Sequence, residues 1–160
     1  MDIMKRLADK KLDIVVDATK DLLVNVLLYH PFLVKPNHHE LGEIFGVELK
    51  TWEDVIPYAK KLQAMGARNV MISMAGDGGL LVTEEGQVYT SLPPKGTVVN
   101  SVGAGDSMVA GFIAGYMASH SYEQAFYTGL CTGSASAYSE SLAEKENVEK
   151  LLATLGKAYK

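Results

Sequence analysis

Four consecutive residues, Gly103-Ala104-Gly105-Asp106, are the part of the chain best suited to chemistry. The first three carry almost no side chain, so their backbone N–H groups can close on an anion. A helix starting there would place the positive end of its dipole at the same spot. Asp106 is then the odd residue, because a carboxylate repels a bound phosphate unless it has a task, and its natural task is to accept a proton from an attacking hydroxyl. The same residues also fit a purely structural role, a tight connection into a helix with an acidic first turn that complements the dipole.

A second group is Lys35-Pro36-Asn37-His38-His39-Glu40. Asn37 is a good N-cap and Glu40 follows three residues later, the spacing of a capping box. An amide and a carboxylate at the mouth of a strand could equally hold Mg²⁺ through its water shell beside nucleotide phosphates. His38 and His39 point about 100° apart on a helix, so they cannot share one metal, and both are expected to face solvent. In a third group, Ser73-Met74-Ala75-Gly76-Asp77-Gly78-Gly79, the Asp-Gly pair between two apolar runs predicts a hairpin turn, and its glycines leave an open backbone surface.

The elements that must position these residues alternate between strand and helix. Met1 to Lys11 carries a helical stripe of Ile3, Met4, Leu7 and Ala8, and Leu12 to Val16 then reads as a strand. Asp21 to Tyr29 puts Leu22, Leu23, Val26 and Leu27 on one helical face, and Phe32 to Lys35 is a short strand stopped by Pro36. Helices are predicted from about Asn37 to Phe45 and from Trp52 to Met65, the second ending at Gly66. Strands follow at Asn69 to Met74, Gly79 to Thr83 and Val88 to Leu92. The β-branched run at Val98 and Val99 predicts a strand feeding the glycine turn, and apolar residues at 108, 109, 112, 113, 116 and 117 give the helix after it. Such alternation implies a layered α/β sheet without a visible linker.

The stretch from Val98 to Gly111 resembles the C-terminal signature of the PfkB carbohydrate kinases, the ribokinase-like family. The resemblance implies that Gly103, Ala104 and Gly105 hold the transferring phosphoryl group and that Asp106 is the catalytic base. Asn37 and Glu40 match the family's Asn-x-x-Glu element, which organises Mg²⁺ and the phosphates, and Lys35 fits the sugar-phosphate kinase branch, where such a lysine lies near the nucleotide phosphates. With ATP as the nucleotide, Ser73, Gly76 and Gly78 would lie against the adenosine. Thr132, Gly133, Ser134 and Ala135 would line the other side of the adenine, although small helical faces serve helix packing equally well. The fold so implied is a ribokinase-like layered α/β sheet flanked by helices. Only the C-terminal half of the family's usual chain is matched, without its lid and N-terminal strands, so the chain is expected to be a nucleotide-binding portion of a larger domain. The missing strands would leave an apolar sheet edge that favours self-association.

Composition narrows the alternatives. The 160 residues are 48% hydrophobic and 21% charged, enough apolar material for one globular core. A net charge of −4 with no Lys/Arg-rich run argues against a nucleic-acid partner. Cys131 is the one cysteine, which excludes an internal disulfide and a cysteine-based zinc site, and it is expected to be a buried spacer. No leader and no apolar run long enough for a bilayer is apparent, so a cytosolic protein is expected. A dinucleotide-binding fingerprint would need glycine at 108, where Met108 stands, and there is no P-loop motif. The non-enzymatic alternative is a kinase half that only binds nucleotide or self-associates.

Overall fold

The computed structural model describes residues 2–157. Met1 lies outside them, as does the side chain of Ala8, so the predicted N-terminal stripe is seen only in part. The chain divides into two compact units, Met1–Met74 with Leu80–Thr90, and Ala75–Gly79 with Ser91–Lys160.

The first unit begins with helix α1 (Asp2–Leu7), followed by β1 (Val15–Val16), α2 (Lys20–Val26) and β2 (Leu33–Val34). Helices α3 (His38–Phe45) and α4 (Trp52–Ala64) lead to β3 (Asn69–Ser73), β4 (Gly79–Val82) and β5 (Val88–Ser91). The five strands form one sheet in the order β1-β2-β3-β4-β5. β1, β2 and β3 are parallel, with Val15 opposite Leu33 and Leu33 opposite Asn69. Parallel neighbours need crossovers, and α2 and the α3–α4 pair supply them. β3, β4 and β5 are joined by short turns, which can only reverse the chain and make the sheet mixed.

Burial explains why these segments pair. Val34, Val70, Ile72, Leu80 and Val82 form one core with Leu23, Leu27, Leu41, Val55, Ala59 and Leu62 from the helices. Leu33, Met71 and Leu81, which the pleat turns to the opposite face, are fully buried too. At the opposite end from the strands' carboxyl ends, the Arg68 guanidinium donates to Glu84 through Nε (2.6 Å) and Nη2 (2.8 Å) and to Asp13 through Nη1 (2.6 Å). These partners, above all Glu84, hold its pKa above the usual arginine value.

Several boundaries differ from expectation. The strand predicted from Leu12 contracts to Val15–Val16, and Leu12 is exposed. Ile3 and Leu22 are exposed while Met4, Leu23 and Leu27 are buried, so each stripe is narrower than its apolar spacing implied.

In the second unit, α5 (Ala104–Ser119) and α6 (Tyr122–Ala137) are joined by two residues and form a helical hairpin, with α7 (Lys145–Thr154) after them. The pair is close because glycines occupy the seam: a Cβ on Gly129 would stand 2.7 Å from the Met108 carbonyl oxygen, and one on Gly133 would stand 2.9 Å from that of Ala104. Cys131 and Ala135 on α6 pack against Val148 and Leu152 of α7. Burial pushes the Cys131 thiol up to about 12.

The predicted strand at Val98 and Val99 does not form. Both side chains are exposed, as is Val102, and the Val99 and Asn100 amides donate to the Ala137 carbonyl at the end of α6 (2.8 and 3.1 Å). A β-branched run is a strand only where a neighbouring strand accepts its ladder, and here a helix-terminal carbonyl takes those donors.

Candidate functional site

In the first unit the candidates stand at the carboxyl ends of the parallel strands, where open α/β sheets bind ligands. Lys35 follows β2 directly, and its Nζ lies 3.3 Å from Oδ2 of Asp17, the residue after β1. The lysine is almost wholly buried, so its charge is held in place by this pair. Asn37 forms a lone parallel bridge with Ser73 at the end of β3. This pairing fixes the start of α3 beside the strand end.

The capping box at Asn37 is complete. Asn37 Oδ1 accepts from the Glu40 amide and Glu40 Oε2 accepts from the Asn37 amide, both at 2.8 Å. One carboxylate oxygen of Glu40 is therefore engaged, leaving Oε1 to meet another group. His39 is exposed as expected, but His38 is half-buried, with Nδ1 3.4 Å from the Ser73 carbonyl oxygen. The expectation that both histidines face solvent fails for His38 because the Asn37–Ser73 bridge draws the first turn of α3 onto β3.

The other candidates belong to the second unit. The turn before β4 is a short 3-10 helix, Ala75–Asp77, rather than a two-residue hairpin turn. Gly78 has φ +79° and is buried, with no room for a Cβ beside the Ser91 carbonyl. Gly76 is exposed and has nothing within 4 Å of a Cβ position, so it alone offers the open surface foreseen for both. Gly103 is the N-cap of α5 with φ +78°, a conformation that favours glycine. The Ala104 amide donates to the Ser101 carbonyl (3.2 Å), and the first intrahelical bond is Ser107 N to Gly103 O (2.9 Å). The amides of Gly105 and Asp106 have no carbonyl partner among the described residues, and they are the donors this helix end offers. The Asp106 side chain is exposed. Ser134 is buried on α6 beside Gly133, whose seam contact with Ala104 shows this small-residue face packing against α5.

Two relationships escaped the sequence. Asp17 follows a two-residue strand with no motif around it, and only the parallel pairing of β1 with β2 brings it to Lys35. Ser136 donates to Ser107 at 2.7 Å across 29 positions.

The pfkB family carbohydrate kinase pattern matches residues 2–149, and the chain belongs to that family. It is 51% identical over 139 residues to a 1-phosphofructokinase of Bacillus subtilis, covering 87% of this chain and 46% of that protein. A D-tagatose-1-phosphate kinase of Bacillus licheniformis is 32% identical over 144 residues, covering 89% and 47%. Among solved structures, phosphofructokinase-2 from Escherichia coli in complex with substrates and products superposes with a TM-score of 0.87 at 27% identity, over 98% of this chain and 52% of that one. The chain thus spans about half the length of the relatives it matches. Among the described residues, no helix is long and apolar enough to cross a membrane.

Proposed function

We propose that the chain is the nucleotide-handling half of an ATP-dependent sugar-phosphate kinase that converts fructose 1-phosphate to fructose 1,6-bisphosphate. The observation that carries this is the first turn of α5. There the Gly105 and Asp106 amides have no carbonyl partner among the described residues and an exposed carboxylate stands beside them, in a family of carbohydrate kinases. Asp106 accepts the proton of the attacking hydroxyl, and those amides stabilise charge on the group in transfer. Lys35 serves the nucleotide phosphates, and Ser73, Gly76, Gly78 and Ser134 serve the nucleoside.

Mg²⁺ is implied by the family. Among the described residues no three His, Cys, Asp or Glu side chains form a metal cage. The fit is to a hydrated ion, since Mg²⁺ keeps several waters and takes one or two carboxylates plus substrate phosphates. Glu40, through Oε1, and Asn37 would hold it, and when bound it neutralises phosphate charge.

The residues 31–37 and 99–107 look most like 1-phosphofructokinase, with tagatose-6-phosphate kinase second. The identity of 51% to a 1-phosphofructokinase against 32% to a tagatose phosphate kinase supports the fructose ester. The other reading is a module that binds nucleotide or self-associates without turnover. The experiment is a coupled kinase assay on this chain with fructose 1-phosphate and tagatose 6-phosphate, paired with Mg-ATP calorimetry. Turnover of fructose 1-phosphate is the expected result for the catalytic reading. Binding without turnover selects the module, and absence of both overturns the proposal.

A further inference from the structure

The C-terminal turn of α6 holds together several pieces of its unit. The Ala137 carbonyl accepts from Val99 and Asn100, fixing the segment that leads to Gly103. The Tyr138 hydroxyl donates to the Pro94 carbonyl at 2.6 Å, and its ring fills the space a Cβ on Gly96 would need. Ser136 Oγ donates to Ser107 Oγ at 2.7 Å and accepts from the Ala143 amide at 2.8 Å. Ser107 and Ser136 are both buried. Leu142, next to Ala143, has Cδ2 3.5 Å from where a Gly103 Cβ would stand, so the Ser136 hydroxyl is tied to both sides of the glycine turn.

The serine–serine bond itself adds little to fold stability, since replacing both partners of a buried hydrogen bond by apolar groups of the same shape can be nearly neutral. What a directed, fully satisfied hydroxyl adds is a single orientation. Ser107 directly follows Asp106 on the first turn of α5, so fixing the buried Ser107 fixes the backbone from which the carboxylate and the amides of Gly105 and Asp106 project.

We propose that Ser136 is a positioning residue, acting through Ser107 and Ala143 to fix how the first turn of α5 presents Asp106 and its amides. The proposal rests on Asp106 being the base. Its test compares Ser136→Ala, Ser107→Ala and Ser136→Thr with the unaltered chain by amide hydrogen exchange and by kinase kinetics. Ser107→Ala breaks only the serine–serine bond, which keeps the test open should Ser136→Ala fold poorly. Expected are tenfold or greater faster exchange confined to the hydrogen-bonded amides of Ala104, Ser107 and Met108, a fall of at least fivefold in kcat with KM for ATP within twofold, and recovery in Ser136→Thr. Faster exchange spread evenly along α5 and α6 assigns the serines to packing alone and overturns the proposal, as does unchanged exchange with unchanged kcat. If the unaltered chain has no turnover, the kinase reading fails. The exchange pattern alone then decides whether Ser136 orders that turn.

Discussion

Lys35 Nζ stands 3.3 Å from Asp17 Oδ2, and the lysine side chain is 7% exposed against 34% for the aspartate. The asymmetry sets which partner the fold depends on. Asp17→Asn strands a buried ammonium, whereas Lys35→Met removes that charge, keeps the apolar stem and leaves Asp17 in contact with water. Asp17→Asn should therefore lower unfolding free energy by about 1–3 kcal/mol, the cost of a buried group left without its partner, and Lys35→Met should cost less. Urea unfolding of both variants checks this, and equal losses would show that the pair is not held by burial of the lysine. If Lys35 serves nucleotide phosphates as proposed, Lys35→Met also weakens Mg-ATP binding at nearly constant stability.

Asp106 is exposed in the first turn of α5, whose cap is Gly103. Asp106→Asn therefore leaves the thermal midpoint close to that of the parent chain. A general base contributes typically 10²–10⁴-fold, so turnover should fall by about that factor while Mg-ATP affinity is kept. Turnover within a few-fold of the parent would remove Asp106 from the role of base.

What could be seen in the sequence and what could not divides along the range of the interactions. The Asn37–Glu40 capping box is a relation over three positions, and both of its bonds form. The Thr51–Asp54 box at the start of α4 is equally local and lowers the Asp54 pKa through backbone and side-chain hydrogen bonds to Thr51. Val98 and Val99 misled because β-branching states only a preference, and whether a strand forms depends on a neighbour supplied elsewhere in the chain. The Lys35–Asp17 and Ser136–Ser107 pairs join residues whose proximity follows from crossover connections and from helix packing, and neither leaves a trace in local spacing.

Cys131 gives the fold a pH dependence of defined sign. Desolvation in its site against α7 raises the thiol from 9.0 to about 12. A raised folded-state pKa means that the neutral form is favoured by folding, so its contribution is fully present below the unfolded-state value and is lost as pH climbs from 9.0 towards 12. Stability should decline through that window, and Cys131→Ala should flatten the decline. The thiol should also resist alkylation at pH 8 in the absence of urea and react readily once the chain unfolds. Prompt alkylation of the native chain would contradict its burial.

Two glycines separate space needed for folding from space left for a ligand. A Cβ on Gly129 would stand 2.7 Å from the Met108 carbonyl oxygen and 3.2 Å from the Phe112 Cβ, so the α5–α6 seam would have to open. Overpacking of that kind costs about 1–3 kcal/mol, and Gly129→Ala should show it as a lowered unfolding midpoint. Gly76 lies exposed in the turn before β4 with nothing within 4 Å of its Cβ position and without a positive φ. Gly76→Ala should therefore leave the midpoint unchanged, and Gly76→Leu nearly so. A fall in Mg-ATP affinity for Gly76→Leu at constant stability would then report a nucleotide lying on this turn, because the substitution meets nothing else. Unchanged affinity would remove Gly76 from the nucleotide site.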